Sequence, residues 1–91
     1  MTLHDTVEMM QSTDYKERFR AEYWQTRIRY ERLKAFNNRI EAAEATNFLD
    51  NSVDMPKHDC PFDMLRHQQS VMGEYLHILE VRAIIEGVEL Y

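Results

Sequence analysis

The sequence predicts an all-α protein, a long helical hairpin with a short N-terminal helix, which assembles as a homo-oligomer. Three observations predict this fold. Only two glycines and two prolines occur among 91 residues, which leaves few tight turns for a sheet. Residues that favour helices, such as Ala, Leu, Glu, Arg, Met and Gln, are abundant. Apolar side chains recur at steps of three and four over two long stretches. A chain of this length is expected to be one domain, residues 1–91.

The first helix is predicted to be short, over about residues 2–11. Thr2 is a suitable N-cap residue, and Leu3, Val7 and Met10 follow at steps of four and three. The polar sequence Ser-Thr-Asp at residues 12–14 then ends it.

The second helix is predicted over residues 14–45, a stretch without glycine or proline. Asp14 followed three residues later by Glu17 is typical of a capping box at a helix start. At about 1.5 Å per residue, this helix has a length of about 48 Å. Its predicted core stripe consists of Tyr15, Phe19, Tyr23, Thr26, Tyr30, Leu33, Asn37 and Ile40.

The third helix is predicted over residues 61–86. Pro61 suits the first helical position, Asp63 complements the helix dipole, and Gly87 is a suitable C-terminal cap. Residues 46–60 form the linker before it, with the polar and turn-forming residues Asn47, Asp50, Asn51, Ser52 and Pro56. The predicted core stripe of this helix consists of Leu65, Gln68, Met72, Tyr75, Leu76, Leu79 and Ala83.

Two amides lie within these apolar stripes, Asn37 on the second helix and Gln68 on the third. A polar residue in a helical seam more often fixes the register of the two helices than binds a ligand.

Both long helices are apolar on more than one side. Trp24 and Ile28 lie nearly opposite the core stripe of the second helix. Because a two-helix hairpin cannot bury two faces, we expect a homo-oligomer. The alternative is that the N-terminal helix covers the second face within one chain. Further apolar residues widen the surface of the third helix: Met64, Val71, Ile78, Val81, Ile84, Ile85 and Val88.

The charge is distributed unevenly. The chain carries a net charge of −5, yet residues 15–39 contain eight Lys or Arg, three Glu and six of the ten aromatic residues. Arginine beside aromatic rings is typical of sites that hold phosphates and stack bases. Alternatively, these cations pair with acidic residues of the neighbouring helix. The candidate ligand-binding residues are Tyr23, Trp24, Tyr30, Arg20, Arg27, Arg29, Arg32 and Lys34.

Composition also disfavours several function classes. An acidic chain repels a nucleic-acid polymer, whereas a small anion needs only a local basic pocket. No apolar run is long enough for a membrane span, no signal peptide is apparent, and a single cysteine fits a reducing compartment, so we expect the cytoplasm. His58, Cys60 and His67 lack the spacing of a zinc site or a catalytic pair. We therefore expect no catalytic residues, no metal and no cofactor.

The sequence also resembles known small proteins over about residues 23–83. The resemblance rests on Tyr30-Glu31-Arg32-Leu33-Lys34, on Cys60-Pro61, and on the seam residues that follow: Leu65, Gln68, Gln69, Met72, Tyr75, Leu76, Leu79, Glu80, Arg82 and Ala83. These residues are similar to those of small phage and mobile-element proteins of Gram-positive bacteria. More distantly, they resemble the hairpin domain of the phage nucleotide sponges that counter CBASS and Thoeris defence.

The resemblance implies a multimer in the host bacterial cytoplasm. It implies that the multimer sequesters a cyclic nucleotide or a cyclic ADP-ribose signal without cleaving it. Two other hypotheses remain open from the residues alone. One is a protein–protein inhibitor or adaptor, like anti-CRISPR proteins, that acts through its acidic and apolar surfaces. The other is a structural hairpin whose only partner is itself.

Overall fold

The computed structural model describes residues 1–46 and 53–91, and it is all-helical over them. The helices are α1 (Thr6–Met10), α2 (Tyr15–Thr46) and α3 (Phe62–Glu86). The hydroxyl of Tyr15 meets Glu86 near one end of the pair, and the side chain of Asn37 meets Leu65 near the other. α2 and α3 therefore run antiparallel. The predicted all-α fold with three helices is confirmed, and both long helices end within one residue of the predicted limits.

The first helix begins later than predicted, at Thr6 instead of residue 2. The Thr2 N–H donates to the Asp5 carboxylate (2.9 Å), and the Asp5 N–H donates to the Thr2 hydroxyl (3.3 Å). The N–H groups of Thr6 and Val7 then bond to carbonyls only three residues back. Thr2 therefore caps a tight turn that precedes α1, and the α-helical pattern starts only after that turn.

The side of α1 that packs on α2 also differs from the predicted stripe of Leu3, Val7 and Met10. Thr6 is fully buried against α2, whereas Val7 and Met10 are exposed. The Gln25 side chain donates to the Thr6 hydroxyl (3.0 Å). Thr6 is therefore the α1 residue buried against α2, while Met10 contacts the same Gln25 side chain from a more exposed position.

Ala21 is also fully buried, although it lies on the side of α2 turned away from α3. Its small side chain lets α1 approach closely. The N-terminal helix therefore covers part of the second face of α2 within one chain, as the alternative interpretation expects.

The start of α2 is set by Asp14. Its carboxylate accepts a hydrogen bond from the N–H of Lys16 (3.0 Å), which satisfies a free donor of the first turn. In a capping box, the Glu17 side chain would accept a hydrogen bond from the Asp14 N–H. Here the Asp14 N–H donates to the Ser12 hydroxyl instead (3.0 Å). Asp14 is thus a simple N-cap rather than one half of a capping box.

The main core lies between the N-terminal half of α2 and the C-terminal half of α3. Burying a side chain of leucine or phenylalanine size stabilises a fold by about 1.5–3 kcal/mol, so a small cluster is enough to pair the helices. The cluster consists of Phe19, Tyr23, Leu76, Leu79, Ala83 and Val88.

A glycine cap folds Val88 back onto this core. Gly87 adopts a left-handed conformation with φ 69° and ψ 37°, and the N–H of Val88 donates to the Ala83 carbonyl (2.8 Å). This pattern is a Schellman motif, which reverses the chain after a helix. Val88 is consequently only 7% exposed. The expectation that it widens the exposed apolar surface of α3 is wrong.

A polar contact fixes the register at the other end of the hairpin. Asn37 is buried and its amide donates to the Leu65 carbonyl (3.1 Å) and to the Gln69 side chain (2.9 Å). The prediction that Gln68 lies in the seam is wrong, because Gln68 is exposed. Gln69 lies four residues after Leu65 and seven before Leu76, which puts it on the face of α3 turned toward α2.

The linker is only partly described. Asn47, Asp50, Asn51 and Ser52 lie outside the described residues, and Pro56 is buried. Among the described helices, none combines the length and the apolar character that a membrane span requires.

The Gly87 cap gives a direct test of this fold. We expect Gly87→Ala to lower the free energy of unfolding by about 1 kcal/mol, because a Cβ disfavours the positive φ. Asn tolerates that conformation better, so Gly87→Asn serves as the matched control and should lose clearly less. Chemical denaturation followed by circular dichroism measures both. Equal losses for the two variants would contradict the role of the left-handed cap.

Candidate functional site

One face of α2 binds the segment that follows α3, residues 87–91, here called the tail segment. Lys16, Arg20 and Trp24 are spaced by four residues and therefore lie on one side of α2. Their side chains donate to backbone carbonyls of the tail segment. The acceptors are the carbonyls of Gly87 for Lys16 (3.1 Å), Glu89 for Arg20 (3.2 Å) and Leu90 for Trp24 (2.7 Å).

Arg27 extends this face by one further turn and lies against two aromatic rings. Its guanidinium carbon is 5.1 Å from the centre of the Trp24 ring and 5.4 Å from that of Tyr91. It also donates to the Tyr91 hydroxyl. The rings of Trp24 and Tyr91 meet edge to face, with their centres 5.4 Å apart. Arg27 therefore makes cation–π contacts with two neighbouring rings.

Tyr23 lies beneath this cluster and is only 1% exposed. Its hydroxyl donates to the Glu80 carboxylate (2.8 Å), lies 3.1 Å from the Tyr91 hydroxyl, and accepts a long bond from Arg27 (3.4 Å). Burial raises the pKa of Tyr23 well above its ordinary value of 10.0, and the hydrogen bonds with Tyr91 and Glu80 raise it further. Tyr23 is therefore a neutral, structural hydroxyl rather than a free ligand donor.

A groove lies between α2 and α3 on either side of Tyr30. Gly73 faces the Tyr30 ring so closely that a Cβ there would lie 3.3 Å from Cε1 of the ring. Glycine therefore allows Tyr30 to lie against α3. A cleft of about 250 Å³ extends from this contact toward Arg27 and Glu80, and one of about 420 Å³ extends toward Arg66. We call Tyr30, Gly73 and these two clefts the Tyr30 groove.

The groove combines three kinds of chemistry. Arg27 and Arg66 mark its two ends, and their guanidinium groups suit phosphate oxygens. Glu31 and Glu80 line the first cleft and offer acceptors for hydroxyl or N–H groups. The second cleft adds neutral polar side chains, those of Gln69 and Ser70. The Tyr30 ring between them supplies an aromatic surface.

The structure brings together some predicted site residues and separates others. Arg20, Tyr23, Trp24, Arg27 and Tyr30 form one continuous face from the tail segment to the groove.

The other predicted site residues lie elsewhere. Arg29 lines a different cleft of about 320 Å³, together with Arg18 and Met10. Arg32 and Lys34 are exposed and line neither cleft of the groove.

The sequence-based set omits the residues that α3 contributes to the groove: Arg66, Gln69, Ser70, Gly73, Leu76 and Glu80. One signal for them was present. Gly73 lies in the middle of a predicted helix, where glycine costs about 1 kcal/mol relative to alanine, in a chain that has only two glycines. Such a glycine often marks the close approach of another group.

The basic residues of α2 are not held by acidic side chains of α3. Within residues 1–46 and 53–91 the one ion pair is Arg82–Glu86 (2.8 Å), and it lies inside α3. Arg82 and, more weakly, the Tyr15 hydroxyl lower the pKa of Glu86. Over the same residues, no group of three or more His, Cys, Asp or Glu side chains is arranged to hold a metal ion.

Comparison with protein families gives one match. The model of the Sequestin family matches residues 13–85. The chain belongs to the Sequestin family. The matched region includes α2, the Tyr30 groove and nearly all of α3. In this Sequestin family member, α1 and the tail segment lie outside the match. No curated protein and no solved structure matches the chain significantly.

The raised pKa of Tyr23 predicts a loss of stability in alkali. In the unfolded chain Tyr23 releases its proton near pH 10, whereas in the folded chain it keeps the proton to a higher pH. Above pH 10 the unfolded state thus binds fewer protons, and the free energy of unfolding falls as the pH rises. Denaturation between pH 8 and pH 11 should show a steeper fall for the wild type than for Tyr23→Phe, whose ring has no proton to lose. If the free energy of unfolding fell equally steeply with pH in both proteins, the raised pKa of Tyr23 would be contradicted.

Proposed function

We propose that this protein is a phage anti-defence protein that binds and sequesters a cyclic nucleotide, or a related immune signalling nucleotide, without cleaving it. Membership of a family whose name denotes sequestration supports the proposal. The observation that carries it is the Tyr30 groove, in which an aromatic ring lies between two arginines within the matched region. The protein would act in the host bacterial cytoplasm.

The ends and the middle of the groove suit the two kinds of group in a signalling nucleotide, phosphates and bases. The guanidinium groups of Arg27 and Arg66 bind phosphate oxygens through charge-assisted hydrogen bonds. The Tyr30 ring provides a stacking surface for a base, which is favourable for every base. Glu31 and Glu80 accept hydrogen bonds from ribose hydroxyls or from base N–H groups. A ligand with separated phosphates and bases therefore matches the groove better than a single phosphate does.

Sequestration requires affinity and abundance but no chemical step. The bound nucleotide leaves the groove unchanged, and the free concentration of the signal falls as long as the protein is in excess. The proposed function accordingly assigns stacking and phosphate contacts to the groove residues and no catalytic role to any residue.

The proposal includes a homo-oligomer that forms through the outer face of α3. Val71, Ile78 and Ile85 follow one another at steps of seven residues and are 48%, 53% and 77% exposed. A seven-residue spacing of aliphatic side chains is typical of a seam between two helices. Soluble chains rarely leave a row of this kind in contact with water. Several copies would carry several grooves on one particle.

The same apolar face also supports a second candidate function. A protein–protein inhibitor or adaptor would present the row formed by Val71, Ile78 and Ile85 to a host protein instead of to itself. A strictly monomeric protein that binds none of the nucleotides would favour this function.

A binding experiment tests the proposed function. We expect the wild type to bind at least one of cyclic di-AMP, cyclic GMP-AMP and the cyclic ADP-ribose isomers in calorimetry, and to melt at a higher temperature with it. Chromatography of the extracted ligand should recover it intact. Arg66→Gln should weaken binding about tenfold or more, because it removes a charged donor from the groove.

Arg39→Gln is the matched control for that variant. It makes the same charge change on an exposed residue of α2 that lines neither cleft of the groove, and its affinity should equal that of the wild type. Unchanged affinity in Arg66→Gln, or a hydrolysed nucleotide, would count against sequestration in this groove.

Light scattering tests the oligomer. We expect a wild-type mass that is a multiple of the 11.0 kDa chain, and a mass near that of one chain for Ile78→Glu. A buried, unpaired carboxylate in the seam costs more than the apolar contacts supply. His77→Glu adds the same group beside the row and should keep the wild-type mass. A monomeric wild type would contradict self-association.

A further inference from the structure

The tail segment uses donors that a nucleotide would also need. Arg20 and the indole N–H of Trp24 donate to the backbone carbonyls of Glu89 and Leu90. A carbonyl is a neutral acceptor, whereas phosphate oxygens form shorter and stronger bonds with such donors.

The ring of Tyr91 is held in a similar way. It is 81% exposed, so apolar burial contributes little to its position. Its contacts include the guanidinium of Arg27, the Trp24 ring at a near-perpendicular angle and the hydroxyl of Tyr23. A planar ring against arginine and tryptophan is also how proteins hold a nucleobase.

The tail segment has a fixed part and a weakly held part. Val88 belongs to the core and is anchored by the Gly87 cap, so the chain is fixed up to this residue. Beyond it, Leu90 is only partly buried and Tyr91 lies at the surface. Movement of residues 89–91 would therefore leave the cap and Val88 in place, although it would withdraw Leu90 from its contact with the core cluster and Tyr91 from the Tyr23 hydroxyl.

We propose that residues 89–91 occupy a nucleotide subsite formed by Arg20, Trp24 and Arg27, and that the ligand displaces them. Phosphate oxygens replace the two carbonyls as acceptors for Arg20 and for the indole N–H of Trp24. A base replaces the Tyr91 ring against the face of the Arg27 guanidinium, and the N–H group that donated to the Tyr91 hydroxyl becomes free to bind phosphate. This subsite adjoins the Tyr30 groove through Arg27, which lines its first cleft. The inference rests on the proposed function and adds a regulation of the same site.

Displacement has a measurable consequence for affinity. When only a fraction of the molecules has an open subsite, the apparent dissociation constant is the intrinsic one divided by that fraction. A change that weakens the docking of the tail segment therefore tightens ligand binding, although it removes a residue beside the site.

Trp24 reports the docking directly, because it is the only tryptophan of the chain and its indole N–H bonds to the Leu90 carbonyl. We expect Tyr91→Ala to shift the indole N–H resonance in proton–nitrogen correlation spectra without any ligand. The same variant should bind cyclic di-AMP, cyclic GMP-AMP or cyclic ADP-ribose about threefold to tenfold more tightly than the wild type. Tyr91→Phe keeps the ring but loses the hydrogen bonds of the hydroxyl. Its affinity for the nucleotide should lie between those of the wild type and Tyr91→Ala.

Each outcome separates this inference from the proposed function. If the wild type binds a nucleotide while Tyr91→Ala binds it equally or more weakly, displacement is wrong and sequestration stands. An indole resonance that Tyr91→Ala leaves unchanged would also overturn displacement. If neither protein binds any of the probes, the proposed function fails and displacement fails with it. Circular dichroism of both variants checks that the fold is retained.

Discussion

Tyr23 lies almost fully buried between α2 and α3, and its hydroxyl joins both helices to the tail segment. A buried phenol requires a hydrogen-bond partner, because an unsatisfied one costs about 1–3 kcal/mol. Glu80 supplies that partner from α3, and Tyr91 lies beside it. The pairing of the helices, the position of an α3 carboxylate and the docking of the tail segment therefore depend on one another. A change at any of these three places alters the environment of the same hydroxyl.

The Tyr23–Glu80 contact also sets the register that creates the groove. Seven residues along α2 from Tyr23 lies Tyr30, and seven residues back along α3 from Glu80 lies Gly73. The side chain of Asn37, another seven residues on, fixes the far end of the same seam. Two polar contacts thus hold the helices on either side of the Tyr30–Gly73 pair. The groove forms where the seam between them has a ring on one side and no side chain on the other.

The sequence predicts the two long helices well because their ends depend on local chemistry. Asp14 satisfies the first turn of α2, and Gly87 ends α3 through its own backbone conformation. It predicts the seam less well, because one residue of error rotates a helical position by about 100°. For that reason Gln69 rather than Gln68 meets Asn37. Val88 reaches the core because the Gly87 cap reverses the chain. The spacing of apolar residues does not predict that reversal.

The candidate site is predicted only where it lies on α2. Charge and aromatic content indicate that helix, and two of the residues they select, Arg27 and Tyr30, line the same cleft. They carry no information on which residues of α3 lie opposite. Arg66 is a single cation in an acidic stretch, so its position at the end of the groove follows from the register alone. The docking of the tail segment on α2 could not be predicted from the sequence either, because the contacting residues are more than 60 positions apart in the chain.

The net charge of −5 constrains what the groove can select. At physiological salt a charge is screened beyond about 8 Å, so a bound ligand responds mainly to the side chains around it. Those of the Tyr30 groove are of both signs, with arginines at the ends and Glu31 and Glu80 within the first cleft. A simple polyphosphate would place negative charge beside these carboxylates. Under the proposed function, a nucleotide would place a sugar or a base there and its phosphates at the arginines, so the mixed groove would suit a nucleotide better than a simple polyphosphate.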